Sequence, residues 1–202
     1  MKIGIMGGTF NPIHKGHVAL ALAAIRQFRF DKIWFMPSGL PAHKANTELI
    51  SAEHRIRMVQ LAIQDIPEFE VSSFETDRKG FTYTADTLVA LKELYPEDEF
   101  FFIIGGDSLM KFHHWVKPEV ISKHATLLAA GRSGYSKEEL QRQANFLREQ
   151  FGTVISFLDL PEIPISSNEI RTCCKQKKLS EVTQYLPQSV LQYIEEQKLY
   201  IG

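Results

Sequence analysis

The chain has almost no cysteine. Its two, Cys173 and Cys174, are neighbours in a sequence of 202 residues, where they cannot bridge two chain segments and are too few for a zinc site. No disulfide or metal staple is expected, and a reducing, cytoplasmic setting follows as the simplest expectation. Long hydrophobic runs are also missing. The longest apolar stretches, Val18 to Ile25 and Phe100 to Ile104, fall far below the roughly 20 residues a membrane-spanning helix needs. The opening Met1-Lys2-Ile3-Gly4-Ile5-Met6-Gly7-Gly8 is too short an apolar run for a signal peptide and breaks at a glycine pair, so it reads as a first strand. Neither sign of charge dominates: 23 Lys plus Arg against 24 Asp plus Glu leave a net charge of -1. Nothing global therefore draws the chain to nucleic acid or an anionic membrane, and any basic work must be local. Gly/Ser linkers, low-complexity tracts and internal repeats are absent, so one domain over residues 1–202 is expected.

What is present is a core-forming composition, with 44% hydrophobic and 23% charged residues, which argues against disorder and coiled coil. Strand-length apolar runs recur at Ile3 to Met6, Lys32 to Met36, Phe69 to Ser73, Phe100 to Ile104, Thr126 to Ala130 and Val154 to Leu158. Between them lie helical stripes: Val18, Ala21, Leu22, Ile25 and Phe28; Ile56, Val59, Ala62 and Ile63; Leu88, Leu91 and Leu94. Near-continuous apolar strands alternating with helices predict an α/β, Rossmann-like doubly wound, mostly parallel sheet with helices on both faces. Past Leu158 the pattern changes to a helical C-terminal tail, over about 166–202, on the same domain.

Ligands of such sheets meet the loops after the strand ends. Three of these loops are chemically loaded: Gly7 to His17, Pro37 to Lys44, and Gly105-Gly106-Asp107. In the first, a glycine pair after a strand lets backbone N–H groups approach a ligand, and the helix that follows offers orphan donors and a positive dipole end. That suits a phosphate, although neither G-x-G-x-x-G nor G-x-x-x-x-G-K-[ST] is present. His14 and His17 share one face of that helix start and can donate to phosphate oxygens. Two surface histidines, or half of a metal site, are the competing readings; no matching Cys and no H-E-x-x-H supports the latter. In the tail, Ser166 with Glu169 is a capping box that any helix could use. Arg171, four residues after Ser167, brings hydroxyl, helix-start N–H groups and guanidinium to one face, an anion cradle.

The run Gly7-Gly8-Thr9-Phe10-Asn11-Pro12-Ile13-His14-Lys15-Gly16-His17 resembles the GG-x-F-x-P-x-H-x-G-H signature of the adenylyltransferases within the nucleotidyltransferase superfamily. Ile165-Ser166-Ser167-Asn168-Glu169-Ile170-Arg171 is similar to the I-S-S-T-x-I-R element of the bacterial nicotinate mononucleotide adenylyltransferases, with Asn168 in place of Thr. Further matches extend over essentially the whole chain: Pro41-Ala42-His43-Lys44 to a P-x-H-K loop, His54-Arg55 with Met58 to an H-R-x-x-M helix, and Tyr83-Thr84-Ala85-Asp86-Thr87 to a Y-T-x-D-T element.

The resemblance implies transfer of AMP from ATP to nicotinate mononucleotide, with magnesium carried on the ATP and with a direct displacement. It implies that His14, His17, Lys44 and Arg171 are catalytic. ATP would lie against Gly7, Gly8, Thr9, Phe10, Gly105, Asp107, Arg132, Ser166 and Ser167. The pyridine nucleotide would meet Thr84, Asp107, Trp115, Lys44 and His43, with a backbone donor near Thr84 on the nicotinate carboxylate. Trp115 as a core aromatic, Asp107 as a helix cap, and Lys44 and Arg132 as surface charges are the structural alternatives. Nicotinamide mononucleotide and phosphopantetheine stay open as acceptors, as does a nucleotide-binding sensor without turnover. A class I aminoacyl-tRNA synthetase is excluded by the short chain and the missing K-M-S-K-S element. No nucleic-acid or membrane partner is expected, and assembly of identical chains is compatible with the sequence.

Overall fold

A computed structural model of the protein describes residues 1–41, 49–130, 134–160 and 163–201. In chain order the elements are β1 (Lys2–Gly8), α1 (Lys15–Phe28), β2 (Lys32–Pro37), β3 (Leu40–Pro41), α2 (Ala52–Ile63), β4 (Phe69–Val71), β5 (Phe81–Thr82) and α3 (Thr84–Leu94). They continue as β6 (Glu99–Ile104), α4 (Gly106–Lys111), α5 (Pro118–His124), β7 (Thr126–Ala130), α6 (Lys137–Phe151), β8 (Ile155–Leu158), α7 (Ser167–Lys175) and α8 (Gln188–Glu196).

Period-two side chains sort the core onto two faces of the main sheet. Ile33 and Phe35 of β2, Ile103 of β6 and Leu128 of β7 pack with residues of α1, α2, α7 and α8. Their alternates, Ile3 and Ile5 of β1, Phe102 and Ile104 of β6, and Leu127 and Ala129 of β7, pack with residues of α3, α4, α5 and α6. A sheet covered on both faces this way requires apolar strands throughout, and such strands pair in parallel. The six strands run β4-β2-β1-β6-β7-β8, every pairing parallel. The doubly wound expectation holds, and the tail contributes Val190, Leu191 and Ile194 of α8 to the first of the two clusters.

The chain winds outward from β1 to β2 and β4 on one side, then returns to lay β6, β7 and β8 on the other. The order therefore reverses between β1 and β6, and the crevice beyond their carboxyl ends is where such a fold offers a ligand site. The six runs read from sequence match these strands to within two residues at each end. The second, two-stranded sheet of β3 with β5 has no counterpart in that reading.

Candidate active site

At the switch point a cavity of about 1120 Å³ opens, above the ~300–1,000 Å³ usual for one small ligand. Its walls come from Gly7 and Gly8 at the end of β1, Ile104 and Gly105 at the end of β6, and the starts of three helices. His14 caps α1, Gly105 caps α4 and Ser166 caps α7, each with extended backbone and each on the cavity wall. First-turn N–H groups have no acceptor within their own helix and carry the positive end of its dipole. Three such ends around one crevice, beside the carboxylates of Asp107 and Glu169, are chemistry suited to a polyanion.

The two histidines meet there, as their spacing predicts. Their rings lie 3.8 Å apart between centroids at 34°. His17 Nδ1 accepts the backbone N–H of His14 at 3.2 Å, which assigns the neutral ring's proton to Nε2. Phe10 meets the His17 ring edge-on, at 5.2 Å. His14 is buried, and burial lowers its pKa to about 4, so it is neutral at pH 7. Its Nδ1 is buried without a hydrogen-bond partner. A Cβ on Gly16 would lie 2.9 Å from that Nδ1, so the glycine between the histidines is what lets the His14 ring sit where it does. Both rings line the cavity, and this packing fixes the His17 Nε2–H as a donor.

The second motif is joined to the first. Ser167 Oγ donates to the Pro12 carbonyl at 2.9 Å, and Arg171 Nη1 donates to the Asn11 carbonyl at 2.9 Å. Arg171 Nη2 also donates to Asn168 Oδ1 at 3.1 Å, so the residue standing in place of Thr holds the guanidinium. The resemblance implies a catalytic Arg171; in the structure it lines the cavity and tethers the first loop as well. A guanidinium has five N–H donors, so the two tasks are compatible.

Ser166 lines the cavity too, but its hydroxyl serves the helix. Its Oγ accepts Glu169 N–H at 3.2 Å and donates to Glu169 Oε2 at 2.7 Å, while its own N–H reaches the same carboxylate at 2.8 Å. The capping box read from sequence is made. Ser166→Ala is therefore expected to cost about 1 kcal/mol of stability, a melting temperature lower by roughly 2–4 °C, with kcat/KM for ATP held within about twofold. Calorimetric melting beside steady-state kinetics checks both halves.

On the far wall, Trp115 packs edge-on against Phe102 at 6.0 Å and tilted on Phe112 at 5.4 Å while still lining the cavity. Asp107 also lines it, from the first turn of α4; Gly105, not Asp107, is the cap of that helix. Thr9 and Phe10 are on the wall as expected. Thr84 is not among the residues lining this cavity. It is the first residue of α3, where its N–H is one of the orphan donors of a helix start. Thr87 Oγ1 of the same helix donates to buried Glu75 Oε1 at 2.8 Å, and burial raises the Glu75 pKa. His43, Lys44 and Arg132 lie outside the described residues.

Two residues without a role in the sequence reading matter to this site. Arg55, 2% exposed, donates through Nη1 to the carbonyls of Thr9, at 3.0 Å, and Ser38, at 2.8 Å, joining the loops after β1 and β2. The H-R-x-x-M match marks Arg55 without a role, and its place beside Met58 and Val59 in the apolar stripe of α2 is the signal that could have supplied one. Asn11 is 5% exposed and accepts from the chain's other end. No local pattern announces such a contact. Among the described residues no three His, Cys, Asp or Glu side chains gather as a metal site, and no helix is long and apolar enough to cross a membrane.

A Rossmann-like sheet whose switch point gathers helix N-termini and an H-x-G-H pair defines the class. Residues 5–173 match the cytidylyltransferase-like family, one of nucleotidyltransferases. Over full length the chain is 42% identical to a probable nicotinate-nucleotide adenylyltransferase of Lachnoclostridium phytofermentans, covering 99% of each. It is 38% identical to the nicotinate-nucleotide adenylyltransferase of Bacillus subtilis, covering 98% of each. The chain belongs to the nicotinate-nucleotide adenylyltransferase family. Its fold is also that of the Plasmodium falciparum nicotinic acid mononucleotide adenylyltransferase complexed with NaAD, at a TM-score of 0.79 and 22% identity over 98% of this chain and 97% of that one.

Proposed function

We propose that the protein transfers AMP from ATP to nicotinate mononucleotide, giving nicotinate adenine dinucleotide and pyrophosphate. The observation that carries this reading is the meeting of His14, His17 and three helix N-termini in one crevice large enough for two substrates. An oxygen of the mononucleotide phosphate attacks the α-phosphorus of ATP. A new P–O bond forms as the bond to the β-bridging oxygen breaks, and pyrophosphate leaves with that electron pair. The attacking phosphate is already ionised at neutral pH, so no protein nucleophile is required. What the protein must supply is position and donors for the charge that grows on the α-phosphoryl group and the bridge oxygen.

His14 and His17 supply Nε2–H donors to the phosphates, Arg171 braces the pyrophosphate side, and Ser167 keeps α7 against the loop through Pro12. Lys44 and His43 are proposed to receive the mononucleotide phosphate, and Arg132 to border ATP. Asp107 and Trp115 take the nucleoside side, Trp115 stacking on the pyridine. Mg²⁺ enters as part of the Mg-ATP substrate. The two free cysteines, Cys173 and Cys174, support a reducing, cytoplasmic setting.

Choice of acceptor provides the test. A carboxylate accepting a backbone N–H makes a hydrogen bond worth about 1 kcal/mol or more over the neutral amide oxygen, so kcat/KM for nicotinate mononucleotide should exceed that for nicotinamide mononucleotide by at least about fivefold. Steady-state kinetics on both acceptors reads this directly. Equal values, or a preference for phosphopantetheine, would refute the pyridine-pocket assignment.

A further inference from the structure

Three carbonyls of the loop between β1 and α1 accept hydrogen bonds from side chains elsewhere in the chain. The carbonyl of Thr9 accepts from Arg55 at 3.0 Å, that of Asn11 from Arg171 at 2.9 Å, and that of Pro12 from Ser167 at 2.9 Å. The Asn11 side chain is held separately. Its Oδ1 accepts from the Tyr200 hydroxyl at 2.9 Å, a contact between residues 189 positions apart.

Tyr200 is built for this contact. Its backbone sits in the left-handed region at φ 62°, as does that of Phe10 at φ 46°. Bulky residues take that conformation only where surrounding contacts impose it. Leu199 beside it is buried in the core, which anchors the chain end. Burial raises the Tyr200 pKa, against the opposing charges of Arg171 and Arg55, so the phenol remains a donor at neutral pH.

We propose that Tyr200 is a positioning residue for adenylyl transfer: through Asn11 it holds the loop that carries His14 and His17 in the arrangement turnover requires. The inference rests on the functional reading above. A hydroxyl that only stabilised the C-terminal end would change melting and leave turnover alone. A hydroxyl that positions the loop must change the chemical step, because misplacement of catalytic donors by about 1 Å costs on the order of 10²-fold in rate and smaller shifts cost proportionately less.

The experiment compares Tyr200→Phe with Tyr193→Phe in the full chain, well below either melting temperature. Tyr193 is the matched control: its hydroxyl meets His54 Nδ1 at 2.9 Å and joins α8 to α2 rather than to Asn11. Tyr200→Phe is expected to lower kcat about tenfold with KM for nicotinate mononucleotide within about twofold, whereas Tyr193→Phe keeps kcat within about twofold. Calorimetric titration with a non-hydrolysable ATP analogue should show about threefold weaker binding for Tyr200→Phe alone. Unchanged kcat and analogue affinity in Tyr200→Phe, or equal losses in both variants, would overturn the proposal. If the wild-type protein fails to use nicotinate mononucleotide, the functional reading falls, and the analogue titration alone decides for or against Tyr200.

Discussion

Replacing His17 with alanine is expected to lower kcat by roughly 10²-fold or more, while KM for ATP changes by only about twofold to threefold. The reason lies in how the ring is held. Its Nδ1 takes the His14 backbone N–H, Phe10 meets its edge, and the His14 ring lies beside it, so Nε2–H is fixed before substrate arrives. A donor fixed in advance has most effect where charge grows during the reaction, and in the proposed complex the ground-state phosphates also face three helix N-termini. Removing one such donor costs about 2.7–4 kcal/mol of barrier by analogy with an oxyanion hole. Rapid-mixing and steady-state kinetics on His17→Ala check the split. Near-normal kcat would remove His17 from the catalytic set, and a large rise in KM at constant kcat would make it a binding residue only.

The second large effect is expected at Arg171, where two roles must be separated. Arg171→Ala should reduce kcat/KM for ATP by about 10²-fold, through loss of a charged donor on the pyrophosphate side. It should also destabilise the fold by about 1–2 kcal/mol, a drop of several degrees in Tm, because the Asn11 carbonyl and Asn168 lose their partner. Arg171→Lys should restore part of the activity but not all of it. An ammonium is a point donor and cannot hold Asn11, Asn168 and a phosphate in the guanidinium's planar fork. Melting curves beside kcat/KM for wild type, Arg171→Ala and Arg171→Lys give the separation. An Arg171→Ala protein that melts low yet turns over ATP normally would leave the arginine as a tether and nothing more.

Most of the sheet was legible because buried parallel strands must be continuous apolar runs, and Thr126 to Ala130 was read to the residue. The two-residue strands β3 and β5 were not legible, since a pair that short has no period to detect. α6 has a Ser136–Glu139 capping box and buries Leu140, Ala144 and Leu147, yet no ligand motif drew attention to it. At the site, spacing carried far: His14 with His17, and Ser167 with Arg171, each share a helix start, which fixes their relative placement before any tertiary fold is known. Sequence could not show that the two motifs bond to each other, because Ser167 to Pro12 spans 155 positions. Nor could it assign Tyr200, whose value comes from one long-range contact with Asn11 and from no pattern of its own. The same limit explains Ser166, whose place in a shared motif suggested a ligand contact while its hydroxyl is engaged by Glu169.

The most direct measurement of the central claim follows the α-phosphate. The protein is incubated with Mg-ATP labelled at the α-phosphorus and with nicotinate mononucleotide, and label is tracked in nucleotides and in protein while pyrophosphate is counted. Direct displacement predicts label in nicotinate adenine dinucleotide, one pyrophosphate for each dinucleotide, and none on the protein at any time. Label appearing as free AMP without dinucleotide, label trapped covalently on the chain, or transfer confined to phosphopantetheine would contradict it.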